Sequence, residues 1–338
     1  MATTIDKDIF DNLVRNQINL ASYSEQQARD LVALLNRAEK DIIGKITDVD
    51  NFTQARLRAL LREIQLTVAD TYKEASSTLN EEMSAFAPHA GEMTAEIIAA
   101  QLPVSWNPVA MSADQYAAIL SKVPIRLGAD HSLLFDEIFK NLAAGMESKV
   151  RGAIRLGMVE GETAHQIAAR VGGKEGVLVG PKRDIYNLTH TVVQHTNNHA
   201  AQITMDANSD VLRGWVWVST LDSRTCLRCA QKSGIESKMG EGVVPPLHIG
   251  CRCFQAPVIK SWKELGFDAK EFATGTRASS GGQVDANISF DAWLRTQSKS
   301  AQIDQLGPAR QQLFANGMKV DKFTNNGKVL TLEQLKNR

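Results

Sequence analysis

The chain has 338 residues in which Lys plus Arg and Asp plus Glu each total 38, so its formal charge is balanced and no global field would hold it on nucleic acid or on an anionic membrane. A chain of this length can bury a core without disulfide scaffolding, and any DNA contact must be local. Met1 to Asp11 carries acidic residues and no apolar stretch, and no long apolar run occurs elsewhere, which argues against a secretory leader and a membrane span. All four cysteines lie between Cys226 and Cys253. In the reducing compartment this implies, such clustering favours metal binding over disulfides.

From Ser24 to Ile46 the apolar residues Ala28, Leu31, Val32, Leu35, Ala38, Ile42 and Ile46 recur at three- and four-residue steps, which predicts an amphipathic helix with Ser24 as its cap. Thr53 opens a second helix whose stripe is Leu57, Leu60, Leu61, Ile64, Val68, Tyr72, Ala75 and Leu79. The two are expected to pair as an antiparallel hairpin. Pro88 and the stretch Leu102 to Pro108 read as breaks, because proline lacks the amide donor and restricts its predecessor. Helix resumes near Ala113, and a long helical pattern spans His131 to Met158. The box Thr163 to Gln166 starts a shorter helix that Gly172 and Gly173 end. A further helix, entered at Pro181, carries Ile185, Leu188, Val192, Val193, Ala200, Ile203 and Ala207.

The pattern then changes to β. Trp215 and Trp217 share one face of a strand and Val216 and Val218 the other, as in a strand buried on both sides. Thr274 to Asn287, rich in Gly, Ser and Thr, reads as a flexible linker. Beyond it come a helix capped by Ser289, a helix from Pro308 to Ala315 stopped by Gly317, and a hairpin turning at Asn326 and Gly327. The expected fold class is α+β and predominantly α-helical: long amphipathic helices, a small β and zinc-knuckle-like element, and a small C-terminal α/β unit. The expected units are a helical arm over 1–125, a core over 126–272, a linker over 273–287 and a terminal unit over 288–338.

The chemistry concentrates in Cys226, Cys229, His248, Cys251 and Cys253, five candidate ligands for four positions. A CxxC turn brings two thiolates to one ion, and a second element with His and Cys completes the tetrahedron preferred by structural zinc. The expected set is Cys226, Cys229 and Cys251 with either His248 or Cys253, and the expected cofactor is a structural zinc that staples a loop poor in apolar residues.

Other signals fail. His195 and His199 have metalloprotease spacing, but Thr196 stands where that motif needs its glutamate. They read as packing or surface histidines. Gly173 and Lys174 are followed by Glu175, without the earlier glycine of a phosphate loop. His190 lies off the face of the other two. The terminal Lys319, Lys322, Lys328, Lys336 and Arg338 form a locally basic stretch that reads as solvated surface, since Phe323 is the lone aromatic near it. No catalytic set assembles, so a non-enzymatic protein is expected.

Asp222, Arg224, Thr225, Cys226 and Cys229, followed by Pro245, Pro246, His248 and the ending Cys251, Arg252 and Cys253, make this segment resemble the phage Mu protein F-like head morphogenesis family. Arg151 to Gly157, Gly161, Ile167, Thr191 and Asn198 extend the likeness upstream. Phe290, Trp293, Leu294, Gln297, Leu306, Gly307, Arg310, Leu313 and Gly317 resemble an extension that often follows. Lys232, Ser233 and Gly234 depart from the family's usual leucine-glycine turn.

The resemblance implies a minor head protein in few copies, located in the virion at the portal vertex and capsid interior after assembly in the host cytoplasm. The implied partners are the portal protein, the major capsid or scaffolding protein and packaged phage DNA, with no membrane and with self-association as an open expectation. The alternative expectation is a zinc-containing nucleic-acid-binding protein or nuclease, in which His248 and Arg252 would be active.

Overall fold

In the computed structural model the chain is described over residues 7–49, 51–102, 106–109, 111–268, 275–325 and 327–336. Two long helices, α1 (Lys7–Thr47) and α2 (Gln54–Ala99), form the expected antiparallel pair. Thr53 caps α2, its hydroxyl accepting from Arg56 N at 3.3 Å. Ser24 caps nothing: α1 begins seventeen residues earlier in the chain, at Lys7. The Ser24 hydroxyl sits mid-helix, 3.0 Å from Ala21 O and 2.7 Å from His190 Nδ1.

Pro88 does not end α2 either. Its missing amide removes one helix bond, but Met83, Ala87, Ala90, Gly91 and Thr94 are buried on both sides of it, so packing holds the helix through the defect. Gly91 shows how close that packing is: a Cβ there would lie 1.9 Å from the Tyr116 hydroxyl oxygen.

After α3 (Ala113–Leu120), strands β1 (Ile125–Arg126) and β2 (Ser132–Leu133) pair antiparallel. This hairpin takes the residues expected to begin the next helix, so α4 runs from Phe135 to Val159, with Glu137 accepting from Leu134 N at 2.9 Å. The predicted capping box opens α5 (Ala164–Val171), and α6 spans Val179–Ala207, with Pro181 inside its first turn. Amides there have no intrahelical acceptor, so the ring costs no bond. The main core is made by Leu31, Ile42, Ile64, Val68, Val150 and Ile154, together with residues of α5 and α6.

Strand β3 (Leu212–Val218) follows, then the single turn α7 (Leu227–Ala230), β4 (Glu236–Lys238) and β5 (Phe254–Ile259), in an antiparallel sheet ordered β4-β3-β5. As the alternation predicts, Trp215 and Trp217 pack with Cys229, Cys251 and Cys253. Val216 and Val218 pack with Phe254, Ala256 and Val258 against Leu13 of α1 and Ile97 of α2. Gly214 lets β4 approach, since a Cβ there would lie 2.2 Å from Ser237 O.

The flexible-linker reading is corrected over its described part. Thr276–Ser279 and Gly282–Asp285 form an antiparallel hairpin, β6 and β7; the linker residues up to Thr274 lie outside the described set. The Ser and Gly content makes a tight turn: Gly282 has φ +109, and Ser279 Oγ donates to Gly282 O at 2.8 Å.

The terminal unit comprises α8 (Phe290–Thr296, capped by Ser289), α9 (Lys299–Leu306), α10 (Pro308–Ala315), a 3-10 turn (Val320–Phe323), β8 (Thr324–Asn325), β9 (Lys328–Val329) and α11 (Leu332–Lys336). The strands on either side of the expected turn are two residues long each, because Val320 to Phe323 form a 3-10 segment with Val320 and Phe323 buried. Asn326 of its turn lies outside the described residues, as does Arg338. The core of this unit includes Leu221, Leu227 and Ala230 beside Phe290, Trp293 and Phe323, so the cysteine region and the terminal unit share one apolar cluster. The whole is α+β and predominantly helical, and no helix of the described residues is long and apolar enough to cross a membrane.

Candidate metal centre

Two turns meet beside the middle of α6. In the first, Asp222 accepts from Arg224 N at 3.0 Å, and the Thr225 hydroxyl donates to Thr220 O at 2.5 Å. This brings the chain into α7 with Cys226 at its N-cap and Cys229 inside its one turn. In the second, Cys251 N donates to His248 O at 3.1 Å, and Gly250 takes φ +76, a conformation that side chains resist. The result is a Cys-x-x-Cys knuckle opposite a His-x-x-Cys knuckle.

The five predicted residues come together. Cys226 Sγ and Cys229 Sγ lie 3.1 and 3.2 Å from His248 Nε2, and Cys229 Sγ lies 3.6 Å from Cys251 Sγ. Cys226, Cys229 and His248 form one group able to hold a metal ion, and Cys229, Cys251 and Cys253 form another that shares Cys229. Tetrahedral zinc, with bonds of about 2.0–2.3 Å, sets its ligand atoms roughly 3.5–3.8 Å apart. The spacings around Cys229 are near this range and slightly inside it for the imidazole, while the two groups meet only through Cys229, so one ion held by residues of both would draw them together. All four thiols are free.

The electrostatics suit a cation. The Cys226 thiol is lowered to about 4 by the hydrogen bond from Cys229 and then by His248. Cys251 is lowered by hydrogen bonds from Cys229 and Cys253. Cys229, which donates to its neighbours, is raised, and burial raises Cys253. The Cys226 contact raises His248 to about 9. The lowered thiols and the raised imidazole lie within contact of one another, and a divalent cation would take over the role of the protons they share.

Supporting groups fix the cluster. His248 Nδ1 is 2.8 Å from Ile249 O, an arrangement that leaves Nε2 to face the sulfurs. From α6, Thr191 Oγ1 accepts from Gly250 N at 2.9 Å, while Gln194 Nε2 and Asn198 Nδ2 donate to Cys253 O at 2.9 and 3.1 Å. Just past β3, the Ser219 hydroxyl donates to Cys229 O at 2.8 Å and itself accepts from Trp217 Nε1 at 3.0 Å. Arg252 holds the Asp222 carboxylate with two bonds of 2.7 Å. Burial alone would raise Asp222, but the two arginines beside it bring it below the usual value.

Sequence reasoning missed this outer layer. Its legible trace was the polar series Thr191, Gln194 and Asn198 at helical spacing, on a helix that also buries Thr189, His195, Thr196, Asn197 and Thr204. The remaining histidines stay apart from the cysteines. His195 and His199 pack ring against ring at 4.3 Å; burial holds the first well below its ordinary value and brings the second down to about 4. His190 bolts α6 to α1 through Ser24, with Glu25 Oε2 at 3.6 Å from its Nε2.

Fold and site together define a helical protein that carries a Cys/His knuckle able to hold a metal ion. Residues 148–256 match the family model described as Phage Mu protein F like protein, which supports the resemblance drawn from the sequence over the segment from within α4 to within β5. No curated protein and no solved structure matches the chain.

Proposed function

We propose that the chain is a minor head protein of a tailed bacteriophage, acting in head morphogenesis at or near the portal vertex, with contacts to the portal, to capsid or scaffolding protein and to packaged DNA. The family match over residues 148–256 carries this reading, because it spans the whole knuckle and the helices that support it. In this reading the metal is a structural zinc held by Cys226, Cys229, Cys251 and His248 Nε2. The His248 placement, between two thiols and oriented by Ile249 O, favours it over Cys253 as fourth ligand. Cys253, its sulfur 3.5 Å from Ser219 Oγ, then supports the site from behind. With four protein ligands the coordination is closed, which suits stapling rather than catalysis.

Quantitative mass spectrometry of purified heads, from wild-type phage and from phage with this gene interrupted, tests the reading. We expect a few copies per head and a fall in DNA-filled infectious particles without it. Normal heads lacking the protein would overturn the assignment. Metal-dependent nuclease activity of the purified chain would instead favour the nucleic-acid alternative.

A further inference from the structure

A cavity of about 780 Å³ opens beside the knuckle, between α1, α6, the segment that follows β3, and β6. Its apolar wall includes Val14, Ile18, Leu20, Val193, Leu221 and Phe254. Ile18 is 62% exposed, a large aliphatic side chain that lines the cavity and still meets solvent. Three arginines, Arg224, Arg252 and Arg277, also line the cavity, and among the described residues no Asp or Glu does. In a chain with 38 cationic and 38 acidic side chains, this is a local excess of one sign.

Arg277 donates to Ile288 O at 2.7 Å and faces Asp285, so the charge left most open is that of Arg224. Arg252 and Arg224 both face Asp222, the first through two bonds of 2.7 Å and the second at 3.6 Å, so two guanidinium groups share one carboxylate. The Arg224 side chain is 77% exposed, which leaves most of its donors open. Gln17, also in the wall, has a buried Nε2 without a hydrogen-bond partner.

We infer that this cavity binds an acidic linear segment of a partner protein, with aliphatic side chains against the α1 wall and a carboxylate against Arg224. The volume falls in the range of ligand pockets, which are mostly apolar with a few convergent polar groups. Guanidinium matches carboxylate geometry through paired hydrogen bonds. A nucleic-acid strand would need aromatic platforms for its bases, and among the described residues Phe254 is the one Phe, Tyr or Trp in the wall. The inference rests on the cavity alone and does not depend on the head-assembly reading.

The test is selection of a random dodecapeptide library on the immobilised full chain, followed by binding titrations with Arg224→Glu and Ile18→Asp. Both substituted positions are exposed, and circular dichroism and metal content check that the variants fold. Selected peptides should carry Asp or Glu next to aliphatic residues, bind about tenfold or more weakly to Arg224→Glu, and weaken with added salt. They should also lose affinity for Ile18→Asp. An empty selection, peptides without acidic character, binding indifferent to both variants, or preference for an oligothymidylate over the peptides would each overturn the inference.

Discussion

In the helical body, Ile64 of α2, Ile154 of α4 and Ile185 of α6 are buried in one apolar core, each contributing roughly 1.5–3 kcal/mol by leaving water. The knuckle has no such core of its own. Its sulfurs sit under Trp215 and Trp217, its backbone hangs on Thr191, Gln194 and Asn198 of α6, Leu227 and Ala230 borrow the apolar cluster of the terminal unit, and Arg252 ties down Asp222. One region is stabilised by area, the other by directed bonds, and α6 belongs to both. Perturbations should therefore separate the two regions cleanly, except along α6.

The largest expected effect is at the knuckle. Cys229, common to both possible ligand groups, replaced by Ser should abolish stoichiometric metal, which in such sites contributes about 10 kcal/mol or more at neutral pH. Protease cleavage between Cys226 and Cys253 should appear while helical circular dichroism persists. Metal retained at full stoichiometry, or a wild-type protein purified without any, would break the comparison.

Next comes the body. Ile154→Ala, at a fully buried position, should cost about 2–5 kcal/mol, read as a lower unfolding midpoint with unchanged metal stoichiometry. Loss of metal at native temperature would show that the regions are not separable.

Acid should also act on the body. Burial and then Arg126 bring His199 down to about 4, so the unfolded chain binds its proton first as pH falls. The associated stability is complete above the unfolded-state value of about 6.5 and is lost toward pH 4, by an amount on the order of 3 kcal/mol. Chemical denaturation of wild type and His199→Gln across this range isolates the effect, because proton competition at the knuckle is common to both. Equal pH slopes would sink it.

The smallest effect sharpens the comparison at the joint. Asn198→Ala removes one of two amide donors to Cys253 O and should cost about 1–3 kcal/mol. It should also weaken metal affinity about 10–100-fold, as expected of an outer-layer partner. A competition titration with a chromogenic chelator reads this, and unchanged affinity would mean that α6 supports the fold without tuning the site.

Local pattern alone determined much here: the stripes of α1 and α2, the Thr53 and Ser289 caps, the Thr163 box, the two-faced strand β3, and the grouping of Cys226, Cys229, His248, Cys251 and Cys253. These are legible because side-chain period, capping and ligand spacing act over a few residues. Tertiary structure decided the rest. It carried α2 through Pro88, turned Ser24 from a cap into a bolt to His190, and folded the Gly- and Ser-rich stretch after Gly275 into a hairpin. It also placed the α6 amides behind the cysteines and gathered three arginines at one cavity. Each of these outcomes depends on what a distant segment packs against or donates to, and no local period or propensity encodes that partner.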